Sequence, residues 1–191
     1  SVGYHNLSTN TTGSDNTALG YKALLLNTTG TRNIAIGGNA YDASDTENDN
    51  MAIGYNAMTT NTAGGEKNIA IGNYALDAHT TGSNCVGVGY AAMGGNTTGT
   101  SNTAIGVSAS LVSTTAQKVT SIGTDSHLRL TEGDENTALG VQSGAYITTG
   151  TQNVMIGMQA GVTGTTLTTG NASVFVGHSA HGSGVAVNNE I

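Results

Sequence analysis

Proline, tryptophan and charge are scarce in this sequence of 191 residues, which has no Pro, no Trp, one Cys and only 9% charged residues. A soluble domain of ordinary composition is about 25% charged. The absence of proline excludes collagen and proline-rich linkers. A single cysteine excludes an intrachain disulfide framework and a zinc site built from several cysteines. The chain must therefore reach its fold without disulfide bonds of its own.

Long apolar runs and positive charge are scarce as well. No stretch approaches the roughly 18 consecutive apolar residues of a membrane-spanning helix, and the first residues show no signal-peptide pattern. Five Lys and Arg stand against twelve Asp and Glu, which gives a net charge of −7. Nucleic acids and anionic membranes attract basic proteins. We therefore predict neither a nucleic-acid partner nor insertion into a membrane.

A short apolar box that ends in glycine recurs ten times along the chain. Seven of the nine steps between successive box glycines have one length, a 17-residue period, and the third and ninth steps are longer by one and three residues. A fixed period of this kind is the signature of a solenoid, in which every repeat adds one turn. The box glycines are Gly20, Gly37, Gly54, Gly72, Gly89, Gly106, Gly123, Gly140, Gly157 and Gly177.

Several positions within the repeat are nearly fixed in residue type. We number every residue from its box glycine, which is position 0, and call the residues at one position in successive turns a column. Branched aliphatic residues fill all of the −1 column, and Ala or Ser fills all of the +3 column. Asn occupies −4 in seven turns and Gly occupies −7 in eight. This regularity predicts one architecture along the whole chain.

The period and the residue types predict an all-β fold. Seventeen residues are too few for helix-pair repeats, which exceed about 30 residues. The boxes are rich in β-branched residues and are bounded by Gly, Asn and Thr, which is typical of short strands joined by turns. We predict a parallel β-solenoid of about ten turns, with roughly two short strands per turn. Turns stacked at about 4.7–4.9 Å would make it roughly 50 Å long.

Alternation along each strand places −3 and −1 on one face and −4, −2 and 0 on the other. The first face is bulky, as at Ile34 and Ile36, and the second is small, as at Ala35. We expect roughly two to four buried aliphatic side chains per turn, which is little core against the entropy of ordering a thin coil. We therefore expect the rows of small residues to pack against identical copies, and predict a homo-oligomer.

Glycine and asparagine have separate expected roles. Position 0 suits a corner with positive φ or one with no room for a Cβ. Asn at −4 can hydrogen-bond the backbone at a corner and stack into a ladder from turn to turn. The repeat also reaches both ends, since Gly3 lies one full period before Gly20 and Glu190-Ile191 would fall inside a further box. We expect residues 1–191 to be a single solenoid segment of a longer fibrous protein.

The segment from Asn16 to Leu24, NTALGYKAL, is followed by Asn27-Thr28-Thr29-Gly30. This pattern resembles the repeats of tail-fibre-like proteins, often upstream of an endosialidase-type intramolecular chaperone domain. It is also similar to the head repeats of trimeric autotransporter adhesins of the YadA type. The resemblance covers essentially the whole chain, although the adhesin period is shorter. It implies a left-handed β-roll that assembles as a homotrimer.

Two acidic groups and a histidine pair are the candidate metal ligands. Carboxylates can bind Ca²⁺, but neither acidic group has the spacing of a known calcium loop, and solvated loops explain both. The histidines lack a third protein ligand nearby and are interpreted as surface residues. We predict no metal and no cofactor. The groups are Asp42, Asp45, Glu47 and Asp49; Glu132, Asp134 and Glu135; and His178 with His181.

Three further patterns have a functional and a structural interpretation. Cys85 replaces the −4 Asn, and with no base nearby it is expected to be a buried small side chain rather than a nucleophile. Paired threonines such as Thr28-Thr29 could suggest ice binding, but neighbouring residues in a strand point to opposite faces, which favours turn chemistry. Tyrosines at +1 could stack on a sugar or pack at a corner. They are Tyr4, Tyr21, Tyr55 and Tyr90, and the row is interrupted by Gly38 and Asn73.

The function that these patterns predict is structural and not enzymatic. The chain is expected to be a shaft or head segment of a trimeric phage or phage-like tail fibre, located in a virion or at a cell surface. Its expected partners are two identical chains and a host-surface glycan or protein receptor. The alternative is the head of a bacterial trimeric adhesin. An ice-binding protein and a glycan-degrading tailspike are lesser alternatives, and no catalytic residues are predicted.

Overall fold

A computed structural model describes residues 1–61, 64–162 and 169–181. It contains ten three-residue strands, each spanning positions −3 to −1 of one repeat, and the described residues include no helix. The all-β solenoid predicted from the period is confirmed. The strands are β1 (Thr17–Leu19), β2 (Ile34–Ile36), β3 (Met51–Ile53), β4 (Ile69–Ile71), β5 (Val86–Val88), β6 (Thr103–Ile105), β7 (Thr120–Ile122), β8 (Thr137–Leu139), β9 (Val154–Ile156) and β10 (Val174–Val176).

The ten strands form one parallel sheet in chain order. Every position pairs with the same position of the next turn, so that Leu19 pairs with Ile36 and Ile36 with Ile53. Each repeat therefore adds one rung to a common ladder. The expectation of two strands per turn is wrong for the described residues, because the rest of each turn bends instead of running extended.

The bends come from three columns of non-glycine residues in the left-handed region, at −5, +2 and +4. Arg32, Asn39 and Tyr41 occupy these columns in one repeat, with φ of 59°, 53° and 52°. Left-handed backbone costs an L-residue about 1–2 kcal/mol. Here each of the three N–H groups donates to a carbonyl of a neighbouring turn, at 2.8–3.0 Å. These inter-turn hydrogen bonds hold the conformation in place.

The box glycine is required for two reasons at once. Gly72 has a φ of 133°, a region that L side chains rarely adopt. A Cβ built on Gly72 would lie 2.3 Å from the carbonyl oxygen of Gly89 in the next turn. Both expectations for position 0 are therefore confirmed, since the corner has positive φ and also no room for a side chain.

On the strands, the small residues and not the aliphatic ones face the interior of the coil. Ala35 at −2 and Ala40 at +3 are fully buried, while the strand neighbours Ile34 and Ile36 are only half-buried. The expectation that small-residue rows pack against other copies is therefore wrong. A 17-residue turn encloses a narrow interior, and alanine is what fits against the backbone across it.

The +4 column supplies six of the eleven largest fully buried side chains. The left-handed backbone there directs the side chain inward. The sequence analysis did not predict this role. The six residues are Leu24, Tyr41, Met58, Leu76, Met93 and His127, and the other five come from the −4, −2 and +7 columns.

The −4 asparagines form the predicted ladder inside the coil. Oδ1 of Asn33 accepts a hydrogen bond from the backbone N–H of Asn50 at 3.0 Å, and Nδ2 of Asn33 donates to the carbonyl of Glu47 at 2.8 Å. Both bonds reach the next turn. Asn50, Asn68, Asn102 and Asn136 repeat the arrangement. The ladder thus joins consecutive turns through buried hydrogen bonds.

Candidate functional site

The outer surface of the sheet carries two columns of mainly apolar side chains, which we call the aliphatic face and define as positions −3 and −1 of β1–β10. The −1 column is aliphatic in all ten strands, whereas the −3 column has Thr in four of them, at Thr17, Thr103, Thr120 and Thr137. Leu19, Ile105 and Leu139 on this face are 45%, 40% and 43% exposed. The other members include Ile34, Met51 and Ile69, which are half-buried by their neighbours along the column. An apolar surface that continues over ten strands is typical of an interaction site.

A second exposed feature lies just past the box glycine, where the chain leaves the sheet. We call Tyr4, Tyr21, Tyr55, Tyr74 and Tyr90 the tyrosine row. The four members at +1 are 48–65% exposed. The Tyr4 and Tyr21 rings are stacked with centroids 5.9 Å apart and planes 2° apart.

The gap that the sequence leaves at Asn73 is closed in the structure. Tyr74, one position later at +2, packs edge-to-face between Tyr55 and Tyr90, with 5.7 Å between ring centroids on either side. Oδ1 of Asn73 accepts a hydrogen bond from the backbone N–H of Tyr55 at 2.9 Å. The sequence analysis did not include Tyr74 in this row, because Tyr74 is at +2 and the other four tyrosines are at +1.

The acidic residues between Gly37 and Gly54 form hydrogen bonds with backbone N–H groups and an ion pair with a basic side chain. Glu47 is buried, and Oε2 accepts hydrogen bonds from the backbone N–H groups of Asp45 at 3.0 Å and Thr46 at 3.1 Å. Asp49 forms an ion pair with Arg32 at 2.6 Å, which lowers the pKa of Asp49. Burial raises the pKa of the half-buried Asp42. Their interpretation as solvated loop residues is wrong for Glu47, which closes a corner.

The second acidic group is also paired along the solenoid. Oδ1 of Asp134 accepts the backbone N–H of Gln117 at 2.7 Å, and Glu135 forms an ion pair with Lys118 at 3.0 Å. Glu132 is exposed. The bonds to Asp134 and Glu135 join one turn to the next, so both carboxylates support the stacking of turns.

The histidine pair lies at the end of the described chain. His178 and His181 are exposed, as expected for surface histidines, and Nδ1 of His178 lies 3.2 Å from the hydroxyl of Ser179. Over residues 1–61, 64–162 and 169–181, no three His, Cys, Asp or Glu side chains come together in a way that could hold a metal ion.

Cys85 is a buried member of the asparagine ladder. Its backbone N–H donates to Oδ1 of Asn68 at 2.9 Å, as a −4 asparagine would. Burial raises the pKa of the thiol, which disfavours the thiolate. The prediction of a buried small side chain is confirmed.

In the threonine pairs Thr80-Thr81 and Thr97-Thr98, the first residue hydrogen-bonds the backbone and the second is exposed to solvent. The first hydroxyl of a pair donates to the next turn, as Thr80 does to the carbonyl of Thr97 at 2.9 Å and Thr97 to that of Thr114 at 3.1 Å. The second threonine, as at Thr81 and Thr98, is exposed. The hydroxyls of a pair therefore do not share one surface, in agreement with turn chemistry.

A buried polar chain inside the coil was not predicted. The hydroxyls of Ser110 and Ser121 lie 2.7 Å apart, and the Ser121 hydroxyl lies 2.8 Å from Nδ1 of His127. His127 is fully buried, and its Nε2 has no hydrogen-bond partner in the described structure. Burial lowers the pKa of His127 to about 3, so the ring is neutral at ordinary pH. The hint in the sequence was a histidine in the +4 column, which elsewhere supplies the core.

Comparison of the chain with protein-family models, curated proteins and solved structures finds no match. The described residues also contain no helix of the length and apolarity needed to cross a membrane. Function is therefore inferred from the aliphatic face, the tyrosine row and the resemblance of the repeat.

Proposed function

We propose that the chain is a structural segment of a homotrimeric tail fibre, of the phage or phage-like kind, that reaches toward a host surface. The observation that carries this proposal is the aliphatic face. It follows one side of a ladder that is in register over ten strands, and its side chains are exposed or half-buried in the single chain. The repeat's resemblance to tail-fibre-like proteins supports the setting.

The aliphatic face fits identical copies better than a chemically different partner. The face repeats its pattern at every turn, as Ile36, Ile53 and Ile71 show at −1. A copy of the same chain presents the same period, so the aliphatic −1 columns of two chains can meet along the whole length. Burying such side chains contributes about 25 cal/mol per Å² of apolar area. In a trimer, the aliphatic faces of three copies would meet at the central axis and form a shared apolar core.

The role of small and large residues in this proposal differs from the sequence expectation. The alanine columns are inside each coil and are unavailable for contact. The aliphatic residues that were expected to fill the coil are the ones that face outward, and they are the contact residues proposed here. The left-handed coil implied by the resemblance remains part of the proposal.

The mass of the protein in solution tests the proposal. We expect sedimentation equilibrium or light scattering to give about three times the 19.0 kDa of one chain. The double variant Ile71→Lys/Ile105→Lys places charge on the aliphatic face two turns apart and should yield monomers that keep the β-sheet circular dichroism spectrum. A monomeric wild type contradicts the proposal.

A matched variant controls for added charge. Thr81 and Thr115 are exposed, lie two turns apart and belong to the −8 column, away from the strands. Thr81→Lys/Thr115→Lys should remain trimeric. If the isoleucine variant remains trimeric as well, the aliphatic face is not the contact surface.

A further inference from the structure

The aromatic residues of this chain are concentrated on one exposed edge. The sequence has seven Tyr and one Phe, and five of these eight residues make up the tyrosine row. The remaining three are the buried Tyr41 and Phe175 and the half-buried Tyr146. Exposure of large aromatic rings gives up the burial that normally stabilises a fold. Core packing therefore does not explain where these rings are placed.

The central tyrosines are held in a defined arrangement. The Tyr74 ring meets Tyr55 at 82° and Tyr90 at 73°, so that edge-to-face contacts fix all three. Tyr55 and Tyr90 are nevertheless 48% and 53% exposed. A ligand that stacks on rings already fixed in this way loses little additional side-chain entropy on binding.

The surroundings of the three central rings carry no charge in the neighbouring columns, whereas Nζ of Lys22 lies 5.2 Å from the ring centroid of Tyr21 at the other end of the row. From Gly38 to Ser108, the +1 and +2 columns contain only Gly, Ala, Ser, Val, Asn and Tyr. Nδ2 of Asn39 donates to Oδ1 of Asn56 at 3.0 Å, which lines up two carboxamides in the +2 column, the column that also holds Tyr74. An uncharged surface of aromatic rings and carboxamides suits a ligand with both C–H faces and hydroxyl groups.

We propose that the tyrosine row binds a neutral oligosaccharide of pyranose units that lies along the solenoid axis. The C–H face of a pyranose packs against the electron-rich face of a tyrosine ring, and the sugar hydroxyls bond to the flanking carboxamides. A row that extends along the axis fits a linear chain of sugars. The inference rests on the proposed function for the source of the sugar, since a fibre at a cell surface meets glycans there.

Calorimetric titration with four neutral hexasaccharides tests the inference: maltohexaose, cellohexaose, mannohexaose and chitohexaose. We expect at least one to bind, and Tyr55→Ala/Tyr90→Ala to weaken that affinity about tenfold or more. Tyr55→Phe keeps the ring face and should bind nearly as well as the wild type. Tyr146→Ala removes a half-buried tyrosine at +6, outside the row, and should leave the affinity unchanged.

A gain-of-function variant makes the test independent of any loss of folding. Gly38 is the gap between Tyr21 and Tyr55, and a Cβ built there would lie 3.4 Å from the Tyr55 ring, an ordinary contact. Gly38→Tyr should join the two halves of the row and strengthen binding severalfold. Weaker or equal binding by this variant contradicts a continuous stacking surface.

Two results would overturn the inference. One is the absence of binding by the folded wild type to all four hexasaccharides. The other is dissociation of the oligomer by Tyr55→Ala/Tyr90→Ala, because the rings would then be a contact between copies. The mass measurements described above report on the trimer separately, so a failed titration with a trimeric protein refutes the sugar site alone.

Discussion

The sulfur of Cys85 lies 3.3 Å from the carbonyl oxygen of Gly99, in the place from which Asn68 donates its amide hydrogen to Gly82 at 3.0 Å. Cysteine thus occupies one rung of a ladder built mainly from asparagine, with a weak S–H donor in place of a strong N–H donor. The N–H of Cys85 is still satisfied by the turn before. The hydrogen bond between Cys85 and the preceding turn is therefore kept, whereas the one to the following turn is weakened.

The variant Cys85→Asn should restore this rung and stabilise the protein by about 1 kcal/mol, the net contribution of a typical buried hydrogen bond. The site offers the same partners that asparagine has in other turns. Denaturant unfolding of the two proteins side by side measures the difference. A loss of stability would show that the coil around Cys85 has closed in too far to accept a carboxamide.

The variant Asn68→Ala should be destabilising by about 2 kcal/mol, because alanine leaves the buried N–H of Cys85 without a partner and the carbonyl of Gly82 with only the ring of His79. Asn68 is fully buried and satisfies both the N–H of Cys85 and the carbonyl of Gly82. Exposed Thr98, which lies outside the left-handed columns, is the control, and Thr98→Ala should change the free energy of unfolding by less than half as much. Urea unfolding of both variants provides the comparison.

The variant Gly72→Ala should destabilise the protein by about 3 kcal/mol or more, because it combines backbone strain with a clash against the next turn. Gly38→Ala is the control, since Gly38 is not in the left-handed region and a Cβ there makes only ordinary contacts. The measurement is the midpoint of thermal or urea unfolding. Equal midpoints for the two variants would contradict the steric role of position 0.

The variant Ala57→Leu should destabilise each coil by about 1–3 kcal/mol through overpacking. Ala57 is fully buried within the coil, so the damage falls on folding and not first on assembly. Thr60→Leu changes an exposed residue three positions later and should cost less. Unfolding measured at two protein concentrations separates the two effects, because only loss of assembly depends on concentration.

Acid should destabilise the solenoid through His127. Its pKa is lowered to about 3 in the folded protein from an ordinary value of 6.5. Between these two values, the unfolded chain binds a proton at this residue and the folded chain does not. Stability therefore falls as the pH decreases below 6.5 and continues to fall until about pH 3. Between about pH 4 and pH 6, this group alone contributes a slope of about 1.4 kcal/mol per pH unit.

The variant His127→Leu should remove that slope. Leucine already occupies the same column at Leu24 and Leu76, where φ is 52° and 51°, so the backbone at His127 can accept it. Burial also lowers the pKa of His79, which should leave a smaller acid dependence in the variant. Exposed His178→Leu is the control and should leave the profile unchanged. Identical profiles for wild type and His127→Leu would contradict the assignment.

The sequence was sufficient to predict the ladder because the period is a property of the whole chain. The alignment of Leu19, Ile36 and Ile53 and the asparagine ladder follow directly from the 17-residue spacing. Alternation also separated the two strand faces correctly. It could not tell which face is inside, because that depends on how sharply the rest of the turn bends.

The bends could not be predicted from the sequence, because the residue types at these positions do not indicate a left-handed backbone. The left-handed columns contain Arg32 and Tyr41, which have no intrinsic preference for that backbone, and inter-turn hydrogen bonds decide the conformation. Tyr74 was missed for a related reason, since two adjacent columns converge in space at the corner. The full tyrosine row could not be predicted from the sequence, because its members lie in two different columns of the repeat.

The two longer steps between box glycines have a practical consequence. Ile53 still pairs with Ile71 across the first, and Ile156 with Val176 across the second, so extra residues do not shift the register. In both repeats the added length falls between the +5 and −7 columns. This stretch is the natural place to graft a foreign peptide for display, because the strands on either side of it keep their alignment when residues are added.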